Sequence, residues 1–339
     1  MTKKIHILSM IFLLRIPSLW SQHANSQFID ETKVLEIEQI QQEPALTMNP
    51  LERSRLIFNE NYQPKEKLLE LLEVVGMPSL ENSENTILQI NTWAQKNLLR
   101  QGERWEDQTL QFEALKTKIY PLLKELGFIG AVAPHLIKYQ GAIIHGALLP
   151  RVRIRLNYLI EQWNQGVRFS TLYFLSGARP LEPEHENKET LAQDDGSSLK
   201  IKKDWKLPKE LPTTETEMIQ LVWAQSDIPE DMRNLVEVHF INAPMKKNPK
   251  NTNLIRPTTD DTIKTWLETF PIHGNYLAIT NAPYTNRQDT VIRTIAPVEY
   301  EFETIGPAAS EQEKMAIVLD ELARLIFQTK QLAEKQKTS

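Results

Sequence analysis

The chain contains no cysteine, which excludes disulfides, thiolate nucleophiles and cysteine-ligated metals together. It has no excess of basic charge either: 39 Lys and Arg stand against 44 Asp and Glu, a formal net charge of −5. With no local basic patch in the sequence, nucleic acid is set aside as a partner. No apolar run approaches the ~20 residues needed to cross a bilayer. Three signatures are missing as well: the Gly-x-Ser-x-Gly elbow, the phosphate loop ending in Gly-Lys-Ser/Thr, and the Gly-x-Gly-x-x-Gly dinucleotide fingerprint. The seven histidines lack metal-ligand spacing, so no metal site is nominated, and the cofactor is left open.

What is present is the balance of an ordinary folded protein, 41% hydrophobic and 24% charged over 339 residues, long enough for two domains. Lys3 and Lys4 precede an apolar run over residues 5–14, interrupted by Arg15 and followed by small or polar residues at 21–25. This pattern predicts a secretory signal or N-terminal anchor over residues 1–25, with an amphipathic first helix as the alternative. Export would place the protein in the periplasm or envelope, and any membrane tie would run through this N-terminus.

Over residues 26–135 the apolar residues recur at three and four, as in Leu68, Leu71, Leu72 and Val75, and again in Leu115, Ile119, Leu122 and Leu126. The spacing predicts a small helical domain, with Gly127 closing its last helix. Over residues 136–307 short runs rich in β-branched and aromatic residues alternate with helix-period segments. Strands are predicted at 142–147, 169–176, 235–241, 276–280 and 298–304, and helices at about 151–165, 214–225, 258–269 and 285–294. That alternation predicts an α/β fold: a Rossmann-like, mostly parallel sheet with helices on both faces, preceded by the helical domain. A C-terminal helix follows within 308–339, with Ser310 and Glu313 as its capping box. Residues 180–212 interrupt the pattern with Glu182, Glu184, Glu186, Glu189, Asp194 and Asp195 among few apolar residues. They are expected to form a mobile surface insertion, with a lid over the site as the alternative, and deleting Glu182 to Lys206 is expected to leave the fold intact.

In an open α/β sheet the ligand crevice lies beyond the carboxyl ends of the strands. The residues there are Gly146 and Ala147, then Ser176, Gly177 and Arg179, and finally Thr280, Tyr284 and Arg287. Two helices open on acidic starts, Thr214-Glu215-Thr216-Glu217 and Thr258-Thr259-Asp260-Asp261. Glycine lets backbone N–H groups approach an anion, and helix starts favour negative charge. Each piece also has a plainer reading: a threonine followed by an acid three residues later is a capping box, a lone arginine is an ion-pair residue, and His145 is a strand-end residue.

Taken jointly, the pieces resemble the SanA/YdcF-like family of bacterial envelope proteins, a domain of unknown function. The resemblance runs through Gly146-Ala147, Arg155-Leu156 with Gly166 eleven residues after Arg155, Ser176-Gly177-Ala178, Glu215-Thr216-Glu217-Met218, Thr259 with Asp261, and Thr280, Tyr284 and Arg287. Tyr284 stands where the family has histidine, and a tyrosine of ordinary pKa near ~10 donates rather than accepts a proton at neutral pH. The resemblance implies an envelope role and no settled reaction. The resulting expectation is a domain that binds an anionic small molecule, a nucleotide or a phosphorylated lipid or sugar carrier. Arg179 and Arg287 would neutralise the ligand, with Gly146, Ala147, Arg155, Ser176, Gly177, Thr259, Thr280 and Tyr284 lining the site. Glu215 and Asp261 are the candidate catalytic groups, and turnover is left open. The alternative is a non-catalytic interaction protein that binds a protein partner through its helical segments and keeps a vestigial crevice.

Overall fold

The computed structural model describes residues 54–80, 85–100, 110–192 and 199–338. The predicted signal or anchor at 1–25 lies outside the described residues, as do Asp194 and Asp195 of the insertion. All described elements belong to one unit, Leu46–Ser339.

Helices α1 (Glu66–Val74), α2 (Thr86–Asn97) and α3 (Lys116–Glu125) form where the three-and-four spacing requires them. Beyond α3 the chain turns at Gly127, at φ +74°. One face of each helix is buried: Leu68, Leu71 and Leu72, then Ile87 and Ile90, then Ile119 and Leu123. These faces share a core with Met315, Val318, Leu322 and Ile326 from the other end of the chain. Each such side chain contributes roughly 1.5–3 kcal/mol by leaving water.

The sheet begins with β1 (Lys138–His145), α4 (Leu149–Asn164) and β2 (Arg168–Gly177). After β2 come α5 (Lys188–Ala192), α6 (Glu215–Gln225), α7 (Glu230–Leu235) and β3 (Glu237–Ala243). A small antiparallel hairpin, β4 (Lys246–Lys247) with β5 (Leu254–Ile255), precedes α8 (Thr259–Leu267). The chain then runs through β6 (Gly274–Ile279), α9 (Thr285–Ile295), β7 (Tyr300–Ile305) and α10 (Met315–Thr338). The five main strands are all parallel in the order β3-β2-β1-β6-β7, so the α/β fold expected from the alternation is the one observed.

Alternate residues of each strand face opposite layers. Ala142, Ile144, Leu172 and Phe174 pack with α4 and α6, while Ile143, Tyr173 and Leu175 pack with α8 and α9 around the fully buried Trp266. The hydrophobic runs are therefore nearly continuous, as a sheet covered on both sides demands.

Two sequence expectations fail here. The capping box at Ser310 and Glu313 does not form, because α10 starts at Met315 and its first N–H donates to Glu113 Oε1 at 2.6 Å. Glu113 lies just before α3, so a residue of the first helical region caps the last helix, and Glu313 instead meets Arg151 at 3.1 Å.

The insertion is not a loose loop. Leu191 and Leu199 are buried in the core that α4 and α6 share, with Leu181, Trp205 and Leu207 packed against it. Glu186 is 3% exposed and takes four hydrogen bonds, from Arg179 Nη1 and Nη2 at 2.8 and 2.9 Å and from the N–H groups of Glu182 and Leu149. A segment that supplies the counter-charge of a buried arginine and several core side chains is structural. Its acidic composition hides these few inward residues.

Candidate functional site

The β1-to-β2 crossover runs to one side of β1, and the β3-to-β6 crossover returns to its other side. Strand order thus reverses between β1 and β6, the position where open α/β sheets hold ligands. A crevice of about 740 Å³ opens there. From the strand ends it is lined by Gly146, Ala147, Ser176 and Arg179, and from the helices by Arg155, Glu215, Thr259, Tyr284 and Arg287. Leu99 and Phe327 close it from the helical layer. Three expected residues, Gly177, Thr280 and Asp261, do not line it.

The glycines serve close packing. A Cβ on Gly146 would stand 2.7 Å from Glu215 Oε1 and 2.8 Å from the Leu175 carbonyl, and one on Gly177 would stand 2.2 Å from Pro257 Cγ. Their N–H groups are already used, Gly146 donating to the Leu175 carbonyl at 2.7 Å and Gly177 to Glu215 Oε2 at 3.2 Å. The expectation that these turns offer backbone donors to a ligand is therefore corrected. The Ser176 and Thr280 hydroxyls are likewise spent inside the fold. Ser176 donates to the Ile241 carbonyl and lies 2.8 Å from Thr216 Oγ1, and Thr280 donates to Gln288 Oε1.

The two candidate carboxylates part company. Glu215 is 8% exposed at the first position of α6, with Oε2 3.4 Å from Arg179 Nε. Burial pushes its pKa up, and Arg179 and the Gly177 N–H offset only part of that shift. Asp261 instead accepts from the Thr258 N–H and hydroxyl at 2.7 and 2.6 Å, and from Lys246 Nζ at 2.5 Å. Burial alone would raise its pKa, but the Lys246 and Thr258 bonds outweigh it and lower it. Asp261 is a cap, and its proposed catalytic role is withdrawn.

Among the described residues Arg151, Arg155, Arg179, Arg256, Arg287 and Arg324 line the crevice, whereas of the acids only Glu215 and Asp260 do so. The counter-charges stand on protein partners: Glu186 on Arg179, Glu321 on Arg287 at 2.5 Å, Glu313 on Arg151 and Asp320 on Arg324. Arg155 donates to the carbonyls of His145 and Gly146 and to Asn281 Oδ1, which ties the end of β1 to the turn after β6. The guanidinium of Arg151 lies 4.6 Å over the Tyr284 ring. Arg151 could have been found from sequence, since it precedes Arg155 by one helical turn. Arg324, Leu99 and Phe327 could not, because only tertiary packing brings α10 and the end of α2 to this edge.

His145, set aside in the sequence as a strand-end residue, also lines the crevice. It is 2% exposed, and burial first, then Arg155 and Arg287, push its pKa down to about 3. No group of three or more His, Asp or Glu is placed to hold a metal ion among the described residues. In comparisons with known proteins the chain matches no family model, no curated protein and no solved structure.

Proposed function

We propose that the crevice between β1 and β6 binds an anionic small molecule bearing a phosphoryl group, such as a nucleotide or a phosphorylated lipid or sugar carrier. The observation that carries this reading is the lining: among the described residues six arginines from α4, α9, α10 and the segments after β2 and before α8 converge where only two acids do. Guanidinium forks suit phosphate oxygens, and each has five N–H donors, more than one carboxylate partner consumes. The volume, about 740 Å³, falls in the range of ordinary ligand sites. Glu215, beside Arg179 with its pKa raised, is the group that would handle a proton if the ligand is turned over. The sequence resemblance to the SanA/YdcF-like family supports an envelope setting, which fractionation of the tagged chain would test.

A thermal-shift series on the full chain with nucleotides, sugar phosphates and alkyl phosphates tests the binding reading, because a ligand that prefers the folded state must raise its midpoint. At 100 times the Kd the gain is roughly 2.7 kcal/mol. No shift with any of them would favour the second reading, an interaction protein with a vestigial crevice. That reading draws on the internal pairing of Arg179 with Glu186 and of Arg287 with Glu321.

A further inference from the structure

β1 ends in His145 at the floor of the crevice, and both ring nitrogens are sealed from solvent without a hydrogen-bond partner. The polar side chains that follow the neighbouring strands' paired residues are satisfied, Ser176 by the Ile241 carbonyl and Thr280 by Gln288. The depressed pKa keeps the imidazole neutral at physiological pH, so it carries one donor and one acceptor. A leucine would fill a buried strand end without leaving polar atoms unbonded. A residue that breaks that rule where it lines a crevice calls for an explanation, and a ligand that supplies the missing bonds is one.

We propose that His145 reads the ligand at the crevice floor, its ring turning into the space it already lines to exchange hydrogen bonds with ligand hydroxyls while the arginines take the phosphoryl group. The inference rests on the crevice being an anion site. Guanidinium groups only donate, so a ligand hydroxyl must find its acceptor elsewhere in the lining, and the neutral imidazole supplies one that no protein group uses. The ligand class narrows accordingly to a phosphoryl group beside a hydroxylated ring, as in a sugar phosphate or the ribose phosphate of a nucleotide. A side-chain rotation of this kind is common on binding.

The test is calorimetric titration of the full chain with glucose 1-phosphate, AMP and methyl phosphate, which carries a phosphoryl group without hydroxyls. One of the two hydroxylated ligands should bind roughly tenfold or more tightly than methyl phosphate, and whichever does so identifies the source of the ring. His145→Leu and His145→Phe should each abolish that preference while leaving the thermal midpoint equal or higher. His145→Gln, which keeps a donor and an acceptor, should retain part of it. The proposal is overturned if the wild-type chain shows no preference or if an apolar variant that folds retains it. Failure of all three ligands to bind would instead defeat the anion-site reading, and this inference with it.

Discussion

Two helix starts with nearly the same signature behave differently. α6 opens on Thr214-Glu215-Thr216-Glu217 and α8 on Thr258-Thr259-Asp260-Asp261. In both, the fourth residue turns back onto the start of its own helix. Glu217 accepts from the N–H groups of Thr213 and Thr214, and Asp261 accepts from that of Thr258. In both, the second residue lines the crevice, but in α6 it is Glu215 and in α8 it is Thr259. The structural counterpart of Glu215 is thus Thr259, and that of Asp261 is Glu217. A capping box needs its acid at the third helical position, so the same spacing that predicts the cap removes that acid from the site.

The difference should be largest in stability. Glu186→Ala would leave the guanidinium of Arg179, next to Glu215, buried beside a single partial counter-charge, at a cost of roughly 3–5 kcal/mol in denaturant unfolding. Arg287→Ala, which removes the 2.5 Å ion-pair partner of the fully buried Glu321, should cost a similar amount. A loss under about 1 kcal/mol for Glu186→Ala would mean that the α6 side carries no buried charge network, and the contrast would disappear. Deleting residues 182–206 should unfold the chain for the same reason.

Acidification comes next. His145 is neutral in the folded state down to about 3 against its usual 6.5, so the unfolded chain binds the extra proton in that window. Stability should fall as pH drops from 6.5 toward 3, by at most roughly 1.4 kcal/mol per pH unit, and His145→Leu should flatten that slope. The two carboxylates should act with opposite signs. Glu215, raised from 4.5, is protonated more in the folded state, so its contribution weakens stability as pH rises from 4.5 through its folded value. Asp261, lowered from 3.8, stabilises above 3.8 and loses that contribution as pH falls through its folded value. Equilibrium unfolding of Glu215→Gln and Asp261→Asn across pH should therefore change the curve in opposite directions.

Arg256→Ala sharpens the functional side of the comparison. Arg256 is half-buried on the crevice wall beside the start of α8, and its loss should weaken phosphate-ligand binding about tenfold, roughly 1.4 kcal/mol, with little change in midpoint. The smallest effect is expected at the cap itself: Asp261→Ala should cost about 1 kcal/mol of stability and leave the affinity of any ligand found unchanged. A large binding defect there would return Asp261 to the site and undo the comparison.

The sequence alone determined the five parallel strands, the helices between them and hence the edge at which a crevice must open, because burial on both faces writes itself as short β-branched runs alternating with a 3.6-residue period. It also named Gly146 and Gly177, although for the wrong reason, since lack of a side chain is visible in sequence whereas what occupies the vacated space is not. Partnerships were decided only in three dimensions. Glu186 looks like one acid among many until Arg179 is found beneath it, Glu321 looks like the exposed side of a helix until Arg287 reaches it, and Glu113 caps a helix about two hundred residues away. Local periodicity records which way a residue faces, but a buried charge is settled by whatever distant group neutralises it, and that group can come from anywhere in the chain.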